Sequence, residues 1–129
     1  QELMKQLRFL RETLEDPAEP VRRVGVSTVC SVLKNYWDIL PAGEVAGLLT
    51  VLMNRCARDK KAPLVRAAVA EGYGWILANA LAHPTMAAVL PQAADMLSDK
   101  SPVVRAAFVN LLGTVSNCKG IMVQEIVSN

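Results

Sequence analysis

The chain has 129 residues, of which 52% are hydrophobic and 20% charged, and its formal net charge is +2. That is enough apolar side chain for one modest core and rules out a disordered tail, while the charge is too small to mark a nucleic-acid binder unless its distribution does so. No apolar run reaches the about 18 uncharged residues of a membrane span, and no basic-then-apolar leader opens the sequence, so an intracellular soluble protein with no membrane contact is expected.

In chain order, Leu3, Leu7, Leu10 and Leu14 share one helical face with charged residues between them, which predicts a first helix over residues 2–15. The turn Asp16-Pro17-Ala18-Glu19 ends it, and a second helix runs from Pro20 to about Trp37, closed by Pro41 and Gly43. Val45, Leu48, Leu49, Leu52 and Cys56 predict a helix from about Ala42 to Arg58. After Asp59-Lys60-Lys61 its partner runs from Pro63 to about Leu81. The third pair starts at His83-Pro84 and carries Met86, Val89, Leu90, Ala93 and Leu97 inward. Pro91 falls inside this helix and should kink it, because its ring removes one hydrogen bond and clashes with the preceding turn. The partner spans Pro102 to about Ser116, and residues 119–129 begin a further helix.

The pairs repeat. Val21-Arg22, Val65-Arg66 and Val104-Arg105 recur at steps of 44 and then 39 residues, each with an upstream Asp (Asp16, Asp59, Asp99) and an upstream Pro (Pro20, Pro63, Pro102) that suits the first turn of a helix. Val21, Val24, Gly25, Thr28, Val29 and Val32 align with Val65, Ala68, Val69, Gly72, Tyr73 and Ile76, then with Val104, Ala107, Phe108, Leu111, Leu112 and Val115. Each copy is the buried stripe of an amphipathic helix. A period near 40 excludes tetratricopeptide and ankyrin lengths and fits HEAT or armadillo units, and two helices per unit favour HEAT. The expected fold is therefore all-α. It is a single α-solenoid of antiparallel helix pairs over 1–129, with repeats at about 2–41, 42–82 and 83–118 and the start of a fourth. The opening at Gln1 and the apolar run Ile121 to Val127, which no partner helix follows, raise the expectation of a longer parent chain.

The recurring charges suit a structural ladder. Asp16, Asp59 and Asp99 would accept from helix N-terminal N–H groups and from Arg22, Arg66 and Arg105 of the same or a neighbouring repeat. The alternative is that these arginines grip phosphates themselves. Better contact candidates are Arg55, Arg58, Lys60 and Lys61, crowded into one turn with only Asp59 opposing them, together with Arg23 and Lys100 at comparable turns. Equivalent turns of a solenoid line one edge, and that edge would follow a duplex DNA backbone without reading bases. The competing possibility is a solvated charged turn that binds nothing.

Tyr36-Trp37, Tyr73 and Trp75 sit within helical apolar patterns and are read as packing. Gly72 and Gly74 suggest a close helix approach, and His83 a capping role at a turn. Cys30, Cys56 and Cys118 are odd in number and lack metal-ligand spacing, so reduced buried thiols are expected, without zinc or a disulfide framework. One His, no Gly-rich phosphate loop and no nucleophile elbow leave no basis for an enzyme, a cofactor or a small-molecule substrate.

Two blocks resemble a known family. Asp16-Pro17, Val21-Arg22, Gly25-Val26, Val29-Cys30 and Tyr36-Trp37-Asp38 in the first are similar to the HEAT region of the G-type non-SMC subunit of condensin II. So are His83-Pro84, Leu90-Pro91, Leu97, Asp99, Ser101, Val104-Arg105 and Ala107-Phe108-Val109 in the second. The likeness spans about Leu14 to Val115, while Gly72-Tyr73-Gly74-Trp75 departs from the family pattern. The resemblance implies a nuclear, chromosomal scaffold working with two SMC ATPases, a kleisin and a second HEAT subunit in mitotic chromosome condensation, its solenoid binding kleisin and duplex DNA. The alternative is a HEAT adaptor of another class, a transport receptor or phosphatase scaffold, holding a peptide on its concave face.

Overall fold

The computed structural model describes residues 2–128, and among these every regular element is helical. We label the helices α1 (Glu2–Thr13), α2 (Glu19–Tyr36), α3 (Ala42–Val51), α4 (Pro63–Ile76), α5 (His83–Val89), α6 (Pro102–Val115) and α7 (Val123–Val127). A proline stands in the first turn of α2, α4, α5 and α6, where its missing N–H has no partner to lose. The N-cap residues Ala18, Ala62 and Ser101 make no side-chain cap. The turns are bent instead by the upstream aspartates. Asp16, Asp59 and Asp99 accept from the backbone N–H of Ala18, Lys61 and Ser101 at 2.8, 3.3 and 2.9 Å, the two-residue reach of an Asx turn.

α4 lies between α2 and α6, and these three form one layer. α1 packs on α2, the helical stretch after α3 on α4, the stretch after α5 on α6, and α7 on that last stretch. This two-layered, laterally repeating arrangement fits an α-solenoid. No helix among the described residues is long and apolar enough to cross a membrane.

The aligned stripes are buried unequally. Val65, Ala68, Val69, Tyr73 and Ile76 of α4 are buried, as are Val104, Ala107, Phe108, Leu111 and Val115 of α6. In α2, Val29 is buried but Val24 is 64% exposed and Val21 39%. The difference is positional: this flank of α4 is covered by α2 and that of α6 by α4, whereas no described element precedes α2 on that side. The same asymmetry leaves Leu3 in α1 partly exposed while Leu7 and Leu14 are buried.

Gly72 supplies the close approach expected near Tyr73, and its neighbour is α2. A Cβ there would collide with Sγ of Cys30 and lie 2.7 Å from its Cβ, so α2 and α4 reach their spacing only because position 72 has no side chain. Tyr73 is completely buried, its hydroxyl 3.8 Å from Sδ of Met53. Tyr36 and Trp75 depart from the expected packing role, being 50% and 41% exposed.

Two helices change type. Beyond α3 the chain makes a π-helical turn over Leu52–Cys56, closed by a 2.8 Å bond from the N–H of Ala57 to the carbonyl of Leu52. A five-residue bond takes one extra residue into the helix, so the longer second copy keeps its buried face. Beyond α5, a 3-10 stretch occupies Leu90–Ser98. Pro91 stands at its start, so the expected interior break takes the form of a switch from α to 3-10, because the Pro91 nitrogen has no hydrogen to give to the previous turn.

α4 ends at Ile76, earlier than the periodicity predicts. Nε2 of His83 lies 2.7 Å from the carbonyl of Leu77, the geometry of an N–H donated to a helix C-terminal acceptor. Asn79 accepts from the N–H of Leu81 and donates to the carbonyl of Lys34, tying this turn to the end of α2.

Candidate nucleic-acid interface

The three Asp-bearing turns are bound to one another. Nε of Arg22 donates to Oδ2 of Asp59 at 2.8 Å, while its Nη1 reaches back to the carbonyls of Asp16 and Pro17. One turn further along, Nε and Nη2 of Arg66 donate to Oδ2 and Oδ1 of Asp99 at 2.9 and 2.8 Å, and Nη1 donates to the carbonyl of Asp59 at 2.6 Å. Each arginine thus clamps its own turn through a carbonyl and the next turn through a carboxylate. The second contact is the two-pronged match of guanidinium to carboxylate.

The Arg66–Asp99 pair is the most enclosed, with the side chains 6% and 13% exposed. The hydrogen bonds from Arg66 hold the Asp99 carboxyl below the usual aspartate range, and the same contact raises the Arg66 guanidinium further. The two ends of the series differ. The carboxylate of Asp16 receives no arginine among the described residues, Arg22 reaching only the carbonyl of Asp16, and Arg105, exposed, donates only to the carbonyl of Asp99. Two of the three arginines are therefore paired with carboxylates, and the paired charges are those of Arg22 with Asp59 and Arg66 with Asp99.

The pairing also separates the candidate contact residues. Arg58 is not the unopposed cation that the sequence suggests: its guanidinium forms an ion pair with Asp95 and donates to the carbonyl of Gln92 at 3.0 Å, tying the turn before α4 to the 3-10 stretch. Arg55 lies 4.0 Å from Glu15, a loose and exposed contact. Arg23, Lys60, Lys61 and Lys100 are exposed and have no acidic partner among the described residues. Each is within two residues of a ladder residue, so all four lie on the edge that the Arg22 and Arg66 clamps define. That edge is not uniformly basic. The first turn carries Glu15, Asp16 and Glu19 close in sequence to Arg23, whereas the second and third carry Lys60, Lys61 and Lys100.

Elsewhere, a groove of about 240 Å³ between α4 and α6 is lined by Glu71, Trp75, Asn110 and Thr114 together with Gly74, and is a feature that a purely apolar reading of Trp75 misses. Gly74 opens it, since a Cβ there would meet only Leu111 and Thr114 at ordinary contact distance. Cys30 and Cys56 are buried free thiols and Cys118 is half-buried, a departure from the expectation that all three are enclosed. Burial raises the Cys30 thiol, and burial with the nearby Asp59 pushes Cys56 up to about 12. No group of three or more His, Cys, Asp or Glu side chains able to hold a metal occurs among the described residues.

Comparison with known proteins supplies the relationship. No family model matches the chain, and no solved structure matches it. It is 40% identical over 112 residues to condensin-2 complex subunit G2 of Danio rerio. It is 36% identical over 111 residues to the subunits of that name from Homo sapiens and Xenopus laevis. These alignments cover 86–87% of this chain and 10% of each relative, so the chain spans about a tenth of the length of the curated relatives it matches. The chain is therefore homologous, along most of its length, to one region of the condensin II G-type subunit.

Proposed function

We propose that this region is a non-catalytic scaffold of HEAT-repeat type, with pairs at about 2–41, 42–82 and 83–118, whose basic edge follows the backbone of duplex DNA in a condensin II complex. Lys60, Lys61 and Lys100 carry the contact, with Arg23 at its rim and Arg55 as an exposed neighbour. The observation that carries the reading is the sorting of charge. Arg22, Arg58 and Arg66 are occupied by carboxylates, whereas Lys60, Lys61 and Lys100 are exposed, on two turns that Arg66 ties together. Neighbouring helices lie about 10 Å apart, so lysines on successive turns can meet successive phosphates, and such contacts bind without reading sequence.

The similarity to condensin-2 complex subunit G2 supports membership of a condensin II complex. The resemblance of the two sequence blocks to that family implies a kleisin chain, two SMC ATPases and a second HEAT subunit as partners, with chromosome condensation in the nucleus as the process and ATP hydrolysis left to the SMC subunits.

Replacing Lys60 and Lys61 by Glu tests the DNA reading. Binding of a fluorescent duplex should weaken, and the slope of log K against log salt should flatten by about two, one for each lost phosphate contact. Unchanged affinity and slope would remove this edge from consideration. A second reading is an adaptor that holds a peptide in the groove between α4 and α6, favoured by the exposed indole of Trp75 beside Glu71 and Asn110. It predicts that Trp75→Ala abolishes peptide capture and leaves DNA binding intact.

A further inference from the structure

The groove of about 240 Å³ between α4 and α6 has a floor and a rim of opposite character. Ala70, Ala107 and Leu111 form a buried, apolar floor, and Gly74 keeps it open. The rim is Glu71 and Trp75 on α4, across from Asn110 and Thr114 on α6. Each rim pair is four residues apart and so stands on one helix face. Helical side chains lean toward the N-terminus, which carries the Trp75 indole back over the turn that holds Glu71.

The repeat register places Ser27 and Ser31 of α2, Glu71 and Trp75 of α4, and Asn110 and Thr114 of α6 at equivalent positions. Small polar side chains occupy this row on either side, and α4 alone adds a carboxylate and an indole. Packing within the chain accounts for neither. Trp75 is 41% exposed, and Glu71 is exposed with no ion pair among the described residues. No Lys or Arg stands three or four residues from Glu71 on its own helix. Of the stretch Gly72-Tyr73-Gly74-Trp75, the contact with Cys30 explains Gly72 and burial explains Tyr73, which leaves Gly74 and Trp75 to the groove.

An indole face and an unpaired carboxylate above an apolar slot complement a long cationic side chain. The aliphatic stem of an arginine would lie on the alanine floor, while its guanidinium stacks on the indole and donates to Glu71. Asn110 and Thr114 offer further acceptors to the planar fork. The volume falls below the about 300 Å³ at which small-ligand pockets begin, so the slot suits one side chain and not a packed helix. We infer that this groove is a subsite for one arginine of an extended peptide segment of a partner protein. The inference rests on the second reading above in placing a peptide here, and adds the side chain that is recognised. It is independent of the DNA reading, since Glu71 would repel a phosphate backbone.

The chain has two tryptophans, Trp37 and Trp75, and therefore two indole N–H signals by NMR. Titration with an end-blocked Gly-Gly-Arg-Gly-Gly peptide should shift the Trp75 signal saturably and leave that of Trp37 in place. Citrulline in place of the arginine keeps the shape, loses the charge and should bind at least about tenfold more weakly. Lysine, which lacks the planar fork, should bind at least about threefold more weakly. Glu71→Gln, on an exposed helix face, should weaken the arginine peptide about tenfold, and Gly74→Leu should abolish the shift by filling the slot. Should Gly74→Leu fail to fold, Glu71→Gln and the citrulline peptide carry the decision. The inference is overturned if citrulline or lysine binds as tightly as arginine, if Glu71→Gln leaves the affinity unchanged, or if no saturable Trp75 shift occurs. A partner peptide whose capture is lost in Trp75→Ala and kept in Glu71→Gln would uphold the second reading while overturning this one.

Discussion

Removing Arg66 should be the most damaging single change to the polar framework. Arg66→Ala deletes two bonds to the Asp99 carboxylate and one to the Asp59 carbonyl, and it leaves a carboxylate that is 13% exposed facing an apolar side chain. Breaking one side of a buried pair costs about 3–5 kcal/mol, because the surviving charge is desolvated without compensation. Asp99 keeps the N–H of Ser101 and some contact with water, which places the cost near the lower end, about 3 kcal/mol. For a chain of this length that corresponds to a melting midpoint lowered by about 10 °C. Arg105→Ala is the internal control: the same residue type at the same register, exposed and bonded only to the Asp99 carbonyl, should shift the midpoint by no more than about 3 °C. Circular dichroism melts at pH 7, with a double-mutant cycle through Asp99→Asn, measure both the loss and the coupling. An Arg66→Ala midpoint within about 2 °C of the Arg105→Ala value would refute the claim that enclosure, rather than residue type, sets the strength of these clamps.

Three further outcomes are expected. Arg66 lowers the Asp99 pKa in the folded chain, so the stability it lends is fully present above the unfolded value of about 3.9 and is lost as pH falls through the lowered one. The gap in midpoint between the original chain and Arg66→Ala should thus be constant from about pH 5 to 8 and narrow below about pH 4; a gap undiminished at about pH 2 would contradict this. Gly72→Ala should destabilise by about 1–3 kcal/mol through overpacking against Cys30, and Cys30→Ala in the same chain should recover part of the loss. Gly113→Ala faces open space in α6 and should be neutral or stabilise by up to about 1 kcal/mol, so equal melting curves for the two alanine variants would count against the close α2–α4 approach. At pH 8 a thiol reagent should modify Cys118 first and reach Cys30 and Cys56 only on unfolding, since burial both shields them and suppresses their thiolates; rapid reaction of all three in the native chain would argue for an open core.

Local chemistry makes much of this protein legible in its sequence. Pro20, Pro63 and Pro102 mark helix starts because a fixed φ and a missing N–H cost least there. Asp16, Asp59 and Asp99 mark turns because a short carboxylate bonds its own backbone two residues on. A period near 3.6 marks which face is apolar. All of these act within a few residues, so the chain carries them openly. What the repetition could not say is which copy of a motif finds its partner. Arg22 meets Asp59 across 37 residues and Arg66 meets Asp99 across 33. Arg58, to all appearance a free cation beside Lys60, is taken up by Asp95. Val24 is exposed while its counterparts Ala68 and Ala107 are buried. These outcomes depend on which helix lies against which and on where the stack ends, and those are properties of distance in space, to which identical local motifs are blind.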